Sequence, residues 1–190
     1  QEIKVKNAII GKQYESCENY EKFVKIVKEK KINVEVVEAG QRINIEKNLY
    51  FDILWPEDEL IKENILNNNS IVMKMCYKDF SILFTGDIEE IAEKKVLEIY
   101  KGNEKNLKAD VLKVAHHGSK TSTIKEFLNV IKPNIALIGV GNENTFGHPN
   151  EVILNRLKHF GTKIYRTDKE GEVSIVVNKK GRIMMKKFIE

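Results

Sequence analysis

Histidine and cysteine, the side chains that zinc-like metals prefer, are scarce in this chain, with four and two among 190 residues. Cys17 and Cys76 have neither CxxC nor framework spacing, so both read as reduced structural thiols in preference to a disulfide or metal-binding role. The histidines are His116, His117, His148 and His159, all in the C-terminal half, so the front half can supply no imidazole to any site. No apolar run approaches the roughly 20 residues that span a bilayer, and no secretory signal opens the chain. Repeats, low-complexity linkers and composition breaks are also missing. One soluble domain with one core is the expectation for residues 1–190, and the chain itself does not state its cellular location. The first residues, Gln1 to Val5, read as structure already under way, which suggests a start inside a longer protein.

What is present is ordinary in bulk and informative in arrangement. Hydrophobic content of 42% and charged content of 32% suit a soluble globular protein, and the net charge of +4 is spread through mixed Lys and Glu. That is a mildly basic solvated surface, and a weak pointer to nucleic acid. Val5–Ile10 reads as a short strand and Cys17–Lys30 as an amphipathic helix with Tyr20, Phe23, Val24 and Val27 at helical spacing. Val34–Val37, Ile43–Ile45 and Leu49–Trp55 alternate with period 2 and read as antiparallel strands. Asn67 to Ser70 favour a turn. Ile71–Cys76 and Phe80–Phe84 form a hairpin. A helix follows Asp87 and ends near Gly102. Val111–Ala115 is a strand, then a helix carries Ile124, Phe127, Leu128 and Ile131 inward before Pro133. Ile135–Val140 is apolar enough for a strand covered on both faces. Beyond a loop at 141–150 come a helix with Ile153, Leu157 and Phe160, a strand at Lys163–Arg166 and a hairpin from Glu172 to Lys187. Helices over a mixed sheet follow, an α/β class.

Three polar clusters close successive apolar elements. Thr85-Gly86-Asp87 ends one strand, and Asp87 is either a helix N-cap or a site carboxylate. His116-His117-Gly118-Ser119 ends the next. In extended backbone such neighbours point to opposite faces, so one would face an ion and the other a substrate or a second ion. The bland alternative is one histidine satisfied in the core and one solvated. Gly141 to Pro149 carries His148, fit to donate a proton or bind a metal, or merely a loop histidine. His159, on a helix before Phe160, reads as solvated. Imidazoles and a bridging carboxylate suit zinc or iron, so Asp87 with one of the paired histidines is a candidate partial metal site.

These runs, "SILFTGD", "ADVLKVAHHGSKTS", "IKPNIALIGVGNENTFGHPN" and "YRTDKEGEVSI", closely resemble the metallo-β-lactamase-fold domain of bacterial competence proteins of the ComEC type and their stand-alone relatives. The likeness is dense from about Asn67 to Ile175. It implies an αββα sandwich with one or two zinc or manganese ions at the sheet edge. It further implies Asp87 as a bridging carboxylate, His116 or His117 as a metal ligand, and His148 as another ligand or catalytic histidine. His117 and Ser119 join His148 as catalytic candidates. Around Asn69 and Ser70 the related hydrolases often carry a metal-binding histidine; only asparagines stand here.

The chain also departs at the front, where it has no His-x-(His/Asp)-x-Asp-His loop. The expectation is therefore a partial domain lacking its first metal motif, with the parent a metal-dependent hydrolase of phosphodiester bonds in DNA uptake and this piece inactive alone. The alternative is a non-catalytic nucleic-acid-binding or assembly module. Expected partners are single-stranded DNA or another phosphodiester, the missing N-terminal part of the domain, and a second copy through exposed sheet. Lys113, Lys120, Arg156, Lys158, Lys163 and Arg166 would bring positive charge to the site edge.

Overall fold

The computed structural model describes residues 3–12, 18–178 and 183–188. Cys17, with the start expected for the first helix, lies outside them, as do Gln1 and Glu2. Strand β1 (Asn7–Ile10) leads through helix α1 (Glu18–Lys30) to β2 (Asn33–Val36). These two strands pair with each other in parallel, Ala8 opposite Val34, as a sheet of their own. The antiparallel pairing expected for residues 34–37 is therefore corrected. A helical crossover between two strands returns the chain in its original direction, and period-2 alternation cannot report direction.

A seven-stranded sheet carries the molecule. Strands β3 (Arg42–Glu46), β4 (Leu49–Trp55), β5 (Val72–Tyr77) and β6 (Phe80–Phe84) run antiparallel in order. The short helix α2 (Ile65–Asn68) sits between β4 and β5, where a plain turn was expected. From β6 onward the pairing is parallel through β7 (Val111–Lys113), β8 (Ile135–Ile138) and β9 (Lys163–Arg166). Helices α3 (Glu90–Ile99), α4 (Lys125–Ile131) and α5 (Glu151–His159) make the connections. Hairpins suffice for antiparallel neighbours, whereas parallel ones need crossovers, which accounts for the change of pattern along the chain.

The three helices bury one sheet face. Ile88, Ala92, Val96, Phe127, Leu128, Ile131, Ile153 and Leu157 pack against Leu83, Leu112, Ala136 and Ile138. The register sets Leu83, Leu112 and Ala136 side by side and turns Ile82, Val111 and Ile135 to the opposite face. There the cover is the antiparallel hairpin β10 (Glu172–Val177) and β11 (Ile183–Phe188), which lays Ile175 and Val177 on Phe80, Ile82 and Val111. The molecule is thus a mixed α/β layered structure, as expected, with helices on one sheet face and strands on the other. Cys76 is a buried thiol on β5.

Strand β7 is shorter than expected. It stops at Lys113, and the chain then turns through His116 (φ 45°) and His117 (φ 54°), both left-handed. The extended backbone assumed for the histidine pair is therefore overturned. Parallel β6, β7 and β8 end at one edge, and all three polar clusters emerge there.

Candidate metal centre

Asp87 is placed by two contacts before it. The Thr85 hydroxyl donates to the Lys113 carbonyl at 2.6 Å, extending the β6–β7 pairing by a side chain. Gly86 (φ 53°) then turns beneath Ser70, where a Cβ would lie 2.5 Å from the Ser70 Cβ, so only glycine fits. Helix α3 starts at Glu90 with Glu89 in the capping position, so Asp87 is not the helix N-cap. Its carboxylate is left to face the edge, partly exposed.

The histidine turn closes against the same loop. The His116 amide donates to the Gly86 carbonyl at 3.1 Å. The rings of His116 and His117 lie 6.5 Å apart at 67°, and His117 Nε2 is 3.7 Å from Asp87 Oδ1. A separation beyond about 8 Å would have ruled out a shared ion, given coordination bonds near 2 Å. His117 Nδ1 sits 2.6 Å from the Gly139 carbonyl, an acceptor only, so Nδ1 carries the hydrogen. Its Nε2 is then the ring atom turned toward the Asp87 carboxylate. An imidazole nitrogen and a carboxylate oxygen so placed are both donor types that a divalent metal takes.

His148 arrives on the third loop. Asn144 braces it, accepting from the His148 amide at 2.9 Å and donating to its carbonyl at 2.8 Å. Pro149 lies over Gly118 (φ 82°), where an added Cβ would sit 2.6 Å from the proline Cβ, and the Asn150 amide donates to the Gly118 carbonyl at 2.9 Å. The His148 ring comes to 5.7 Å from that of His116, and Phe146 stacks on its other side at 6.0 Å. Burial, then the fields of His116 and His117, hold the His148 pKa below its ordinary value. His117, Gly139, Asn144, Phe146 and His148 line a cleft of about 380 Å³.

Sequence reasoning missed Glu89. Its Oε1 lies 3.4 Å from His116 Nδ1, a buried nitrogen without a well-aligned hydrogen bond. Asn64 and Thr121 donate to the same carboxylate at 2.9 and 2.8 Å. Burial works to raise the Glu89 pKa, but those hydrogen bonds and the neighbouring His116 outweigh it and leave the group below its ordinary value. An anionic Glu89 beside Nδ1 favours the tautomer with hydrogen there and none on Nε2 of His116. Two residues after Asp87, Glu89 was hidden among the acidic residues that open α3.

Ser119 is buried, its hydroxyl 3.0 Å from that of Thr121, which leads on to Glu89. Asn69 is also internal, bonded to the Ile61 and Ile65 backbone. His159 is exposed at the end of α5. Of the cations expected at the edge, Arg156 donates to the Ser122 and Thr123 carbonyls and Arg166 pairs with Asp168 at 2.6 Å. Lys120 is exposed on the histidine loop. Among the described residues no three His, Cys, Asp or Glu side chains stand close enough to hold an ion as they are placed. Asp87 and His117 fit a cation as a pair; His116 and His148 are the adjacent donors.

Residues 15–141 match the Metallo-beta-lactamase superfamily. ComE operon protein 3 of Bacillus subtilis is 37% identical over 172 residues, covering 90% of this chain and 21% of that protein. Competence protein ComA of Neisseria gonorrhoeae is 33% identical over 132 residues, 69% of this chain and 18% of that one. Recombination protein 2 of Haemophilus influenzae is 33% identical over 130 residues, 68% of this chain and 15% of that one. The chain therefore spans a fifth or less of the length of most of these relatives. A solved structure, a putative metal-dependent hydrolase from Parabacteroides distasonis, aligns with a TM-score of 0.49 at 14% identity, over 80% of this chain and 62% of that one. That likeness is too loose to argue from.

Proposed function

The chain belongs to the metallo-β-lactamase superfamily, as a domain of the ComEC type, and from that premise we propose that its sheet edge is part of a divalent-metal centre for phosphodiester hydrolysis. The superfamily generally binds divalent metals such as zinc. The observation that supports the reading is the Asp87–His117 pair, 3.7 Å apart, with Nδ1 engaged by Gly139 and Nε2 turned to the carboxylate. Asp87 and His117 would hold the ion, zinc or manganese, with His116 and His148 as further donors. Such an ion supplies a water made acidic enough to attack at neutral pH. The chain's own residues do the rest. Glu89 orients His116, and Asn144 braces His148, whose lowered pKa keeps the ring unprotonated and free to donate its lone pair toward the cleft.

A catalytic zinc site takes about three protein ligands plus an open position, and this chain offers four candidates, not all convergent. We expect one weakly held ion here, and a second only where ligands come from beyond this chain. DNA is the proposed ester, since competence proteins stand among the relatives. Metal analysis of the purified chain after zinc or manganese loading tests the centre. We expect uptake that Asp87→Ala and His117→Ala each reduce at least tenfold in affinity. Uptake indifferent to both substitutions would sink it.

The lack of a convergent three-ligand set among the described residues favours a second reading, a module that binds nucleic acid or supports assembly without catalysis. Loaded wild-type chain that binds single-stranded DNA, yet cleaves neither it nor an activated phosphodiester, would select that reading.

A further inference from the structure

One cation near the site has no place in the metal centre. Lys113 is the last residue of β7, in register between Phe84 and Leu137, on the sheet face that otherwise carries Ile82, Val111 and Ile135. Strand alternation aims it away from the helices, and its stem lies along Gly139, where an added Cβ would sit 3.6 Å from Lys113 Cε. That is the residue whose carbonyl fixes His117. The residue is half-buried, and its ammonium donates to one carbonyl, Val114, at 2.9 Å. Among the described residues no carboxylate lies within ion-pair distance of it. Asp87 is the charged group whose field reaches it, and burial still leaves its pKa below the ordinary lysine value.

A half-buried ammonium that donates to one carbonyl has further N–H donors to offer a ligand, and its partial desolvation costs free energy that an apolar residue on this face would avoid. The row's other members are apolar, so the strand did not need a lysine for packing. What a lysine adds there is a positive charge within the field of Asp87, its stem beside Gly139 of the cleft wall.

The geometry points to Lys113 as an anion-binding residue of the site, its Nζ donating to a non-bridging phosphate oxygen of a nucleic-acid strand held against Asp87 and His117. This rests on the phosphodiester reading above and adds which residue grips the charged group. The hydrogen bond to the Val114 carbonyl and the passage of the stem beside Gly139 hold the ammonium in place, so the bound phosphate is positioned rather than merely attracted. Lys120, exposed on the same loop, would add only loose attraction.

The test measures binding of a short single-stranded DNA oligonucleotide with phosphorothioate links, by fluorescence anisotropy across a salt series, with inorganic phosphate as competitor. Metal uptake and melting temperature are followed in parallel. Lys113→Met should weaken oligonucleotide binding about tenfold or more, the loss expected for one charge-assisted hydrogen bond. It should also lower the salt slope by about 0.7, the value for one single-strand phosphate contact. Lys113→Arg should restore most of both. Zinc uptake and melting temperature should hold in the methionine variant, and Lys113→Gln repeats the test if methionine packs poorly. Unchanged affinity and salt slope in both neutral variants would overturn the lysine's role and leave the metal centre standing. Wild-type chain that takes up zinc but ignores oligonucleotide and phosphate overturns it too. Loss of the centre itself is read separately, from metal analysis of Asp87→Ala.

Discussion

At the residue scale, the site depends on backbone that most side chains avoid. Gly86 holds φ 53° with Ser70 pressed against the position a Cβ would take at 2.5 Å. Gly86→Ala should lower stability by about 2 kcal/mol or more, from left-handed strain plus a clash that Ser70 must relieve. Denaturant unfolding checks this, and a loss under about 0.5 kcal/mol, the range of a neutral surface change, would show the loop moving freely. His116 and His117 carry the same strain without glycine's exemption, and left-handed non-glycine residues concentrate at functional sites. Glu89 acts through His116. Glu89→Gln keeps the shape but removes the charge beside Nδ1, and should weaken metal affinity by about 10-fold or more while fold and melting temperature stay close to wild type. Titration calorimetry with zinc reads the difference; equal affinities would make Glu89 a loop brace only.

At the element scale, the histidine loop is clamped by helices on either side. From α3, Glu93 is fully buried and accepts from the Thr123 and Ile124 amides at 2.5 and 2.8 Å. From α5, Arg156 donates to the Thr123 carbonyl at 2.5 Å. The Ser122 hydroxyl donates to the Ala115 carbonyl at 3.0 Å and closes the loop on itself. Burial pushes the Glu93 carboxyl up to about 7, against the two amides and the field of Arg156, while Glu90 adds to the rise. The unfolded chain titrates near 4.5, so between the two values the folded state holds a proton that the unfolded state has released. Stability contributed by Glu93 is thus full below pH 4.5 and falls as pH rises to about 7, by roughly 3 kcal/mol in all. Glu93→Gln should flatten that fall in urea midpoints measured from pH 5 to 8. A variant whose midpoints decline as steeply as wild type would assign the slope to other groups. None of this clamp was read from the sequence, where Glu93 is one acidic residue among several on a helix with alternating charges.

At the scale of the whole molecule, the two sheet faces are covered unequally. Three helices seal one face, while the other relies on the β10–β11 hairpin over Phe80, Ile82 and Val111. Met75, Tyr77, Phe84 and Leu137 remain only partly buried there. Ile175→Asp would set a charge on that thin cover and should cost about 1–3 kcal/mol, with a lower melting temperature and increased binding of an apolar dye. A variant as stable as wild type would mean that the hairpin rests on the sheet without holding it. Association of the chain through this face is a proposal that sedimentation at several concentrations can examine.

The chain's order of strands and helices was readable in advance, because alternation and helical spacing are local patterns that burial on one face imposes on neighbouring residues. The placement of Asp87, the histidine pair and His148 at successive element ends was readable for the same reason. Pairing direction of β2, the left-handed turn at His116 and His117, and the approach of Glu89 to His116 were not. Each arises where residues 26 or more positions apart meet, and contact between distant segments leaves no period in the sequence. The isolation of Lys113 among apolar neighbours likewise emerged only once β6, β7 and β8 lay side by side.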